Sequence, residues 1–342
     1  MPRRVVSAAG FNNVYNFILW FVFCGALMGF VLARLQYLDI DRVFCGGGSK
    51  GAGPGECYFY RPGSVGRVGI SIHLGCILPA AFLACFQFVP VIRHRLILFH
   101  RLNGHVVILL VLISNVGALI IARHAFGGDL ATQTVVGFLA ILTTGSLAIS
   151  YINIKRLQID QHRAFMLRAW FYLGSIITTR LIMIVSALVI SSTSPPYAQA
   201  RPCMQVLETL NYDQAAVLAR YPDCGAAFNG TDPGRLVLVL ANFKGGHTEE
   251  LGVALAVPFG AALWLALAIH AAGVEMYLGL TPREGRRLRT VAYQRQLEAG
   301  MEKPGSAGLT PQRLGDADEW TPYEYHTTLE NVAVGVGPGY VH

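Results

Sequence analysis

Hydrophobic positions in this chain gather into long runs separated by short polar or basic stretches. A run of about 20 apolar residues is long enough to cross the hydrocarbon core of a bilayer. Backbone groups in hydrocarbon have to be satisfied within their own segment, so each run is expected to be a helix. Six segments qualify: Tyr15 to Leu35, Val68 to Ile92, His105 to Ala122, Thr132 to Ile154, Ala164 to Ile190, and Leu251 to about Gly273. Pro79, Pro90 and Pro258 fall inside these spans and are expected to kink them, since each removes an amide donor. The fold class is therefore all-α, a polytopic integral membrane bundle. The opening Met-Pro-Arg-Arg precedes an apolar stretch longer than a signal-peptide core, so the first span is expected to be retained.

Composition supports burial in lipid. Of 342 residues, 53% are hydrophobic and 14% are charged, against roughly 25% charged in soluble chains. The net charge of +7 does not point to nucleic acid, because Lys and Arg sit between apolar runs and at the chain ends, with no interleaved basic and aromatic face. They fit a topological role instead. Arg3, Arg4, Arg93, Arg95, Arg101, Lys155, Arg156, Arg163, Arg283, Arg286, Arg287 and Arg289 lie at alternate span ends. Basic residues beside spans tend to stay cytoplasmic, which predicts that both termini are cytoplasmic. The domain plan is a short N-terminus (1–14), a membrane domain (15–280) with two lumenal loops (36–67 and 191–250), and a flexible cytoplasmic tail (281–342) rich in Gly, Pro and charge.

Four of the seven cysteines fall in the two loops predicted to face an oxidising space. Local disulfides Cys45–Cys57 and Cys203–Cys224 are the economical pairing. The stretch from Met204 to Tyr221 reads as a short amphipathic helix. Cys24, Cys76 and Cys85 lie within spans, where a thiol acts as a small apolar filler. Asn229-Gly230-Thr231 is a glycosylation sequon in the same outer loop. The Gly46 to Gly48 run follows no strand and precedes no helix, so it reads as an exposed turn and not a phosphate cradle.

Ionisable residues within spans are costly and therefore informative. Arg180, in Thr178-Thr179-Arg180, is the strongest such position, and it needs an acid near the outer face. Asp129 is the obvious partner, followed by Glu249 and Glu250 at the start of the last span. The histidines form two layers: His73, His124 and His247 outside, and His100, His105, His162 and His270 inside. Pairs such as His105 with His162, or His73 with His124, could ligate haem b, which makes a transmembrane haem oxidoreductase an alternative reading. No compact cluster has zinc-ligand spacing.

Several motifs in fixed order carry a family resemblance. They are Ile72-His73, Phe86-Gln87-Phe88, His100-Arg101-Leu102-Asn103-Gly104, Gly127-Gly128, Gly137-Phe138, and His162-Arg163-Ala164-Phe165-Met166-Leu167-Arg168, with Arg180. Across spans two to five the chain resembles a large family of bacterial and fungal membrane proteins to which no general activity is assigned. Within it, the outer loop, first span and tail are similar to the membrane-bound terpene cyclases of fungal meroterpenoid pathways, which cyclise farnesylated phenols in ascofuranone and macrophorin biosynthesis.

The resemblance implies an endoplasmic-reticulum cyclase acting on a hydrophobic prenylated phenol, with no cofactor. Such chemistry needs a carboxylic acid kept neutral by burial and ring faces beside a carbocation. Asp129 and then Glu250 are the candidate acids, with Arg180 and His73 positioning acid or substrate. Phe86, Phe138, Trp170 and Trp264 are candidate lining residues. A non-catalytic scaffold acting through its tail is the remaining alternative, and deleting the chain after Arg289 is expected to disable a scaffold but not a cyclase.

Overall fold

The computed structural model describes residues 6, 10–11, 14–46 and 51–322. Arg3, Arg4, Gly47, Gly48 and the tail beyond 322 lie outside the described residues. The chain is an all-α polytopic membrane bundle, and its described residues include six helices long and apolar enough to span: Val14–Leu38, Val65–Gln87, Ile97–Ile121, Leu130–Lys155, Ile159–Ile190 and Thr248–Leu280. Contacts divide it into two compact units, Met1–Ala140 with Gly174–Leu267, and Ile141–Leu173 with Ala268–His342.

In the first unit, α1 (Val14–Arg34) is followed by α2 (Val65–Gln87), the short α3 (Pro90–Arg95) and α4 (Ile97–Ile121). Ser64 caps α2 by accepting the Arg67 amide. Pro79 sits inside α2, whereas Pro90 occupies the first turn of α3, where its missing N–H costs nothing, so it begins a helix instead of kinking one. Helices α2 and α4 touch closely because Gly117 has no side chain: a Cβ there would lie 2.7 Å from the Gly69 carbonyl oxygen and the His73 amide. Across this contact Asn103 Nδ2 donates to the Leu83 carbonyl at 3.0 Å. The last span breaks at Val257 and Pro258, between α9 (Thr248–Ala256) and α10 (Phe259–Leu280), which matches the missing donor at Pro258.

Helices α5 (Leu130–Lys155) and α6 (Ile159–Ile190) follow, and the long loop from α6 to α9 has structure of its own. Strand β1 (Ala198–Pro202) pairs antiparallel with β2 (Leu236–Leu240). Two short helices, α7 (Cys203–Thr209) and α8 (Gln214–Arg220), stand where the hydrophobic pattern predicts one. The break falls at Asn211 and Tyr212, both left-handed (φ 54° and 63°), and Asp213 restarts the helix by accepting the Ala216 amide. A core of Val206, Leu207, Val217, Val237, Val239 and Val253 surrounds the disulfide Cys203–Cys224. Cys45 and Cys57 form the second disulfide.

The second unit contains α11 (Pro282–Glu298) and the segment following it. Composition suggests a flexible extension here, but residues 282–320 are folded. Gln158, fully buried, donates from Nε2 to the Gly305 carbonyl (3.1 Å) and accepts from the Gly308 amide (3.1 Å) and Gln296 Nε2 (3.1 Å). Asn153 Oδ1 accepts the Leu309 amide at 2.8 Å, and Arg289 stacks on Trp320. Buried amides and not an apolar period hold this segment, so hydropathy does not register it. Gln158→Ala leaves the Gly308 amide unpaired, while Gln296 Nε2 keeps the Arg156 carbonyl and the Gly305 carbonyl keeps Arg289, and it is expected to cost roughly 1–3 kcal/mol. The expected readout is a lower thermal midpoint together with faster trypsin release of the 282–320 segment.

Candidate functional site

The loop between α1 and α2 carries Gly53-Pro54-Gly55-Glu56-Cys57. Gly55 takes the left-handed conformation (φ 81°) that admits the 3₁₀ turn Glu56–Phe59, and the disulfide to Cys45 pins that turn. Glu56 is thereby directed inward and is 6% exposed. Facing it, the turn between α4 and α5 runs through three consecutive left-handed residues, Phe126 (φ 49°), Gly127 (φ 80°) and Gly128 (φ 56°). A Cβ at Gly128 would lie 1.7 Å from the Arg123 carbonyl oxygen, so only glycine closes this turn. Phe126 has no such exemption, and its strained backbone aims its amide at Glu56 Oε2, 2.9 Å away. The Gly127 amide also bonds the Glu56 carboxylate. Successive amides of this kind make an anion-holding concavity.

Strand β1 brings in Arg201, which is 6% exposed, and α6 brings in Arg180. Arg180 lies over the ring of Phe126 at 4.7 Å and that of Phe259 at 5.6 Å, and these rings stack on each other at 4.1 Å. Arg34 and Glu56 are the charged groups that act on Arg180. Beside the cluster, Phe59 stacks on His124 at 4.4 Å, and Tyr60 is buried.

Burial raises the Glu56 carboxyl from its ordinary range to about 7, against the opposing pull of the Phe126 amide, Arg201, Arg180 and the Gly127 amide. The same burial raises the Tyr60 phenol, with help from the Glu56 charge, and lowers Arg201. A carboxyl poised near neutrality can hold a proton and release it at physiological pH. The buried Arg201 and the partly buried Arg180, both acting on it, suit an oxygen-bearing ligand.

The residues expected from sequence are distributed differently. The Asp129 carboxylate caps α5, accepting the Thr132 amide at 2.7 Å, so the acid acting on Arg180 is Glu56 and not Asp129. Glu249 and Glu250, both buried, share Arg220: one guanidinium nitrogen bonds Glu249, and another bonds Glu250 at 2.7 Å. Glu250 is therefore committed to an ion pair with Arg220. His73 bonds Ser114 Oγ through Nδ1 at 3.0 Å across the α2–α4 contact. Phe138 and Trp264 stack on each other at 5.3 Å on the outer surface, 42% and 38% exposed, where lipid would lie, so they do not line an interior site. Phe86 packs edge-on against Phe82 at 5.4 Å. Asn229 is exposed, its Oδ1 accepting from the Thr231 amide and hydroxyl.

In the second unit, Trp170 is buried. There His162 repeats the histidine–serine arrangement, with Nδ1 2.8 Å from Ser150 Oγ, and His270 Nδ1 lies 2.8 Å from the Phe171 carbonyl oxygen. His105 Nδ1 lies 2.6 Å from the Arg101 carbonyl oxygen on its own helix. For His73 and His162 this leaves Nε2 as the nitrogen that could hold a haem iron.

Glu56 and Arg201 are the residues that sequence reasoning passes over, because a charge is conspicuous in sequence only within a span and both lie in loops. The available signal was a lone carboxyl next to a disulfide cysteine in a glycine-rich loop. Arg201, directly before Pro202-Cys203, has the same signature in the second loop.

Residues 70–203 match the model of a family described as "Predicted membrane protein (DUF2306)". That stretch includes Phe126, Arg180 and Arg201 but ends short of Glu56 on the N-terminal side. The chain is also similar to the Ava biosynthesis cluster protein G of Aspergillus versicolor, 23% identical over 325 residues that cover 81% of this chain and 92% of the relative. No solved structure matches the chain. It is an integral membrane protein similar to a fungal biosynthesis-cluster protein.

Because the folded-state pKa of Glu56 is raised, from 4.5 to about 7, the native state keeps this proton after the unfolded chain has lost it. The stability it contributes is complete below the unfolded value and is lost as pH rises through about 7. The thermal midpoint of the wild type is therefore expected to fall relative to Glu56→Gln across that interval. A constant difference between the two proteins would mean that Glu56 titrates as an ordinary carboxylate.

Proposed function

We propose that the protein is a membrane-bound terpene cyclase that isomerises a prenylated phenol bearing an epoxide, with Glu56 as the proton donor. The observation that carries this reading is the buried Glu56 carboxyl, poised near pH 7 and held by two backbone amides in the field of two arginines. Similarity to a biosynthesis-cluster protein is consistent with a biosynthetic role, and the sequence resemblance to meroterpenoid cyclases supplies the substrate class.

The Glu56 O–H gives its proton to the epoxide oxygen, and the tertiary C–O bond breaks to leave a hydroxyl and a developing cation. A neighbouring alkene π-bond attacks that carbon and closes the ring. Loss of a proton from the final cation to the Glu56 carboxylate restores the acid, so the product is an isomer of unchanged mass. Arg201 and Arg180 suit the task of holding the substrate's oxygen atoms. Arg180 already covers Phe126 and Phe259, so these rings are poor hosts for a second cation. Tyr60, in the field of Glu56, is the ring better suited to face it.

Microsomes containing the protein, fed an epoxidised farnesyl phenol, are expected to form an isomer of unchanged mass. Glu56→Gln is expected to lower that product about 10²–10⁴-fold at equal protein level. Asp129→Asn should keep it, because Asn caps a helix as well as Asp does. Full activity in Glu56→Gln would end this assignment. A dithionite-reduced minus oxidised spectrum of the purified protein is expected to be flat, and haem bands at stoichiometric level would favour the oxidoreductase instead.

A further inference from the structure

The β1–β2 ribbon has two faces of different chemistry. On one, Gln199 pairs with Val239 and Arg201 with Val237. This face is turned inward: Val237 and Val239 join the core cluster, Arg201 is buried and acts on Glu56, and a Cβ at Gly127 would meet the Gln199 amide at 2.5 Å. On the other face Ala198 pairs with Leu240, Ala200 with Leu238 and Pro202 with Leu236. No side chain on it carries a polar atom, and Leu236, Leu238 and Leu240 are 55%, 65% and 43% exposed. A ribbon with one face on a core and the other in water alternates apolar with polar, and this one does not.

Its position in the fold indicates what covers it. The chain enters β1 eight residues after α6 ends at Ile190 and leaves β2 eight residues before α9 begins at Thr248. The ribbon is also tied sideways to the end of a span. Ala187 and Ile190 of α6 belong to the same cluster as Val237 and Val239, and the Phe243 amide donates to Ser191 Oγ at 2.8 Å. It therefore sits at the depth of the last turn of α6, where Leu188 and Val189 are themselves exposed.

We propose that the leucine face of this ribbon is immersed in the bilayer, making the outer loop a membrane-inserted element beyond the six spans. Depth is limited by the ribbon's edges. A two-stranded ribbon has unpaired backbone groups on both outer sides, and these need headgroups or water. The leucines consequently reach the boundary between headgroups and acyl chains and go no deeper. This placement is independent of the reaction proposed for Glu56.

The test uses the full-length protein at one copy per phosphatidylcholine nanodisc, doped with a phosphatidylcholine that carries a diazirine at its acyl-chain end. After irradiation and trypsin digestion, the peptide from Leu236 to Lys244, bounded by Arg235 and Lys244, holds all three leucines. It is expected to carry lipid adducts at a yield comparable to the peptide holding Phe21 and Val22, which are exposed on α1. It should also be protected from a water-soluble carbene reagent that labels the exposed Tyr212. Absence of lipid adducts on Leu236 to Lys244, with α1 labelled normally, would overturn the proposal. So would strong labelling of this peptide from the water phase. A cross-link between these peptides of two copies, formed in proteoliposomes of the same lipid, would assign the face to a second protein copy and overturn the bilayer as its occupant.

Discussion

A carboxyl taken out of water has to be neutralised, paired or held by donors, and this requirement organises the first unit. Glu56 meets it by a raised affinity for its proton and by the amides of Phe126 and Gly127, with Arg180 and Arg201 acting on it through their charge. Each contribution comes from a different part of the chain. The disulfide-pinned loop supplies the acid, the strained turn after α4 supplies the amides, α6 supplies Arg180, and β1 supplies Arg201. Removing the carboxyl would leave the rest without a common purpose: a residue at φ 49° with no acceptor for its amide, and two cations without the acid that acts on both.

The spans were legible in the sequence because hydrocarbon permits only one backbone solution for an apolar run of that length. Their ends were less legible, since caps and breaks such as Ser64, Pro90 and Pro258 act through single hydrogen bonds that hydropathy averages away. The folding of residues 282–320 escaped for a related reason: Gln158, Gln296 and Asn153 are polar by composition yet fully buried by amide-to-backbone bonding.

Arg180 stood out in the sequence for the right physical reason, the cost of a charge within a span, but the identity of its acid did not follow. Asp129 lies next to the turn that matters and is used up as a helix cap, whereas Glu56 is more than 120 residues away from Arg180 in the chain and converges on it only through the fold. Glu250 was legible as a buried acid and not as an ion-paired one, because Arg220 reaches it from a helix that the hydrophobic pattern merged with its neighbour.

The bond between Cys45 and Cys57 has a further meaning for where the molecule can be produced in working form. It joins the residue immediately after Glu56 to the end of the preceding turn, so thiol chemistry and proton chemistry share one loop. With those sulfurs reduced, the short turn is free to swing outward, the carboxyl regains its hydration shell, and its affinity for a proton falls back to that of any surface glutamate. A host that delivers this loop to a reducing space would thus yield a protein whose Glu56 turn is no longer pinned by sulfur.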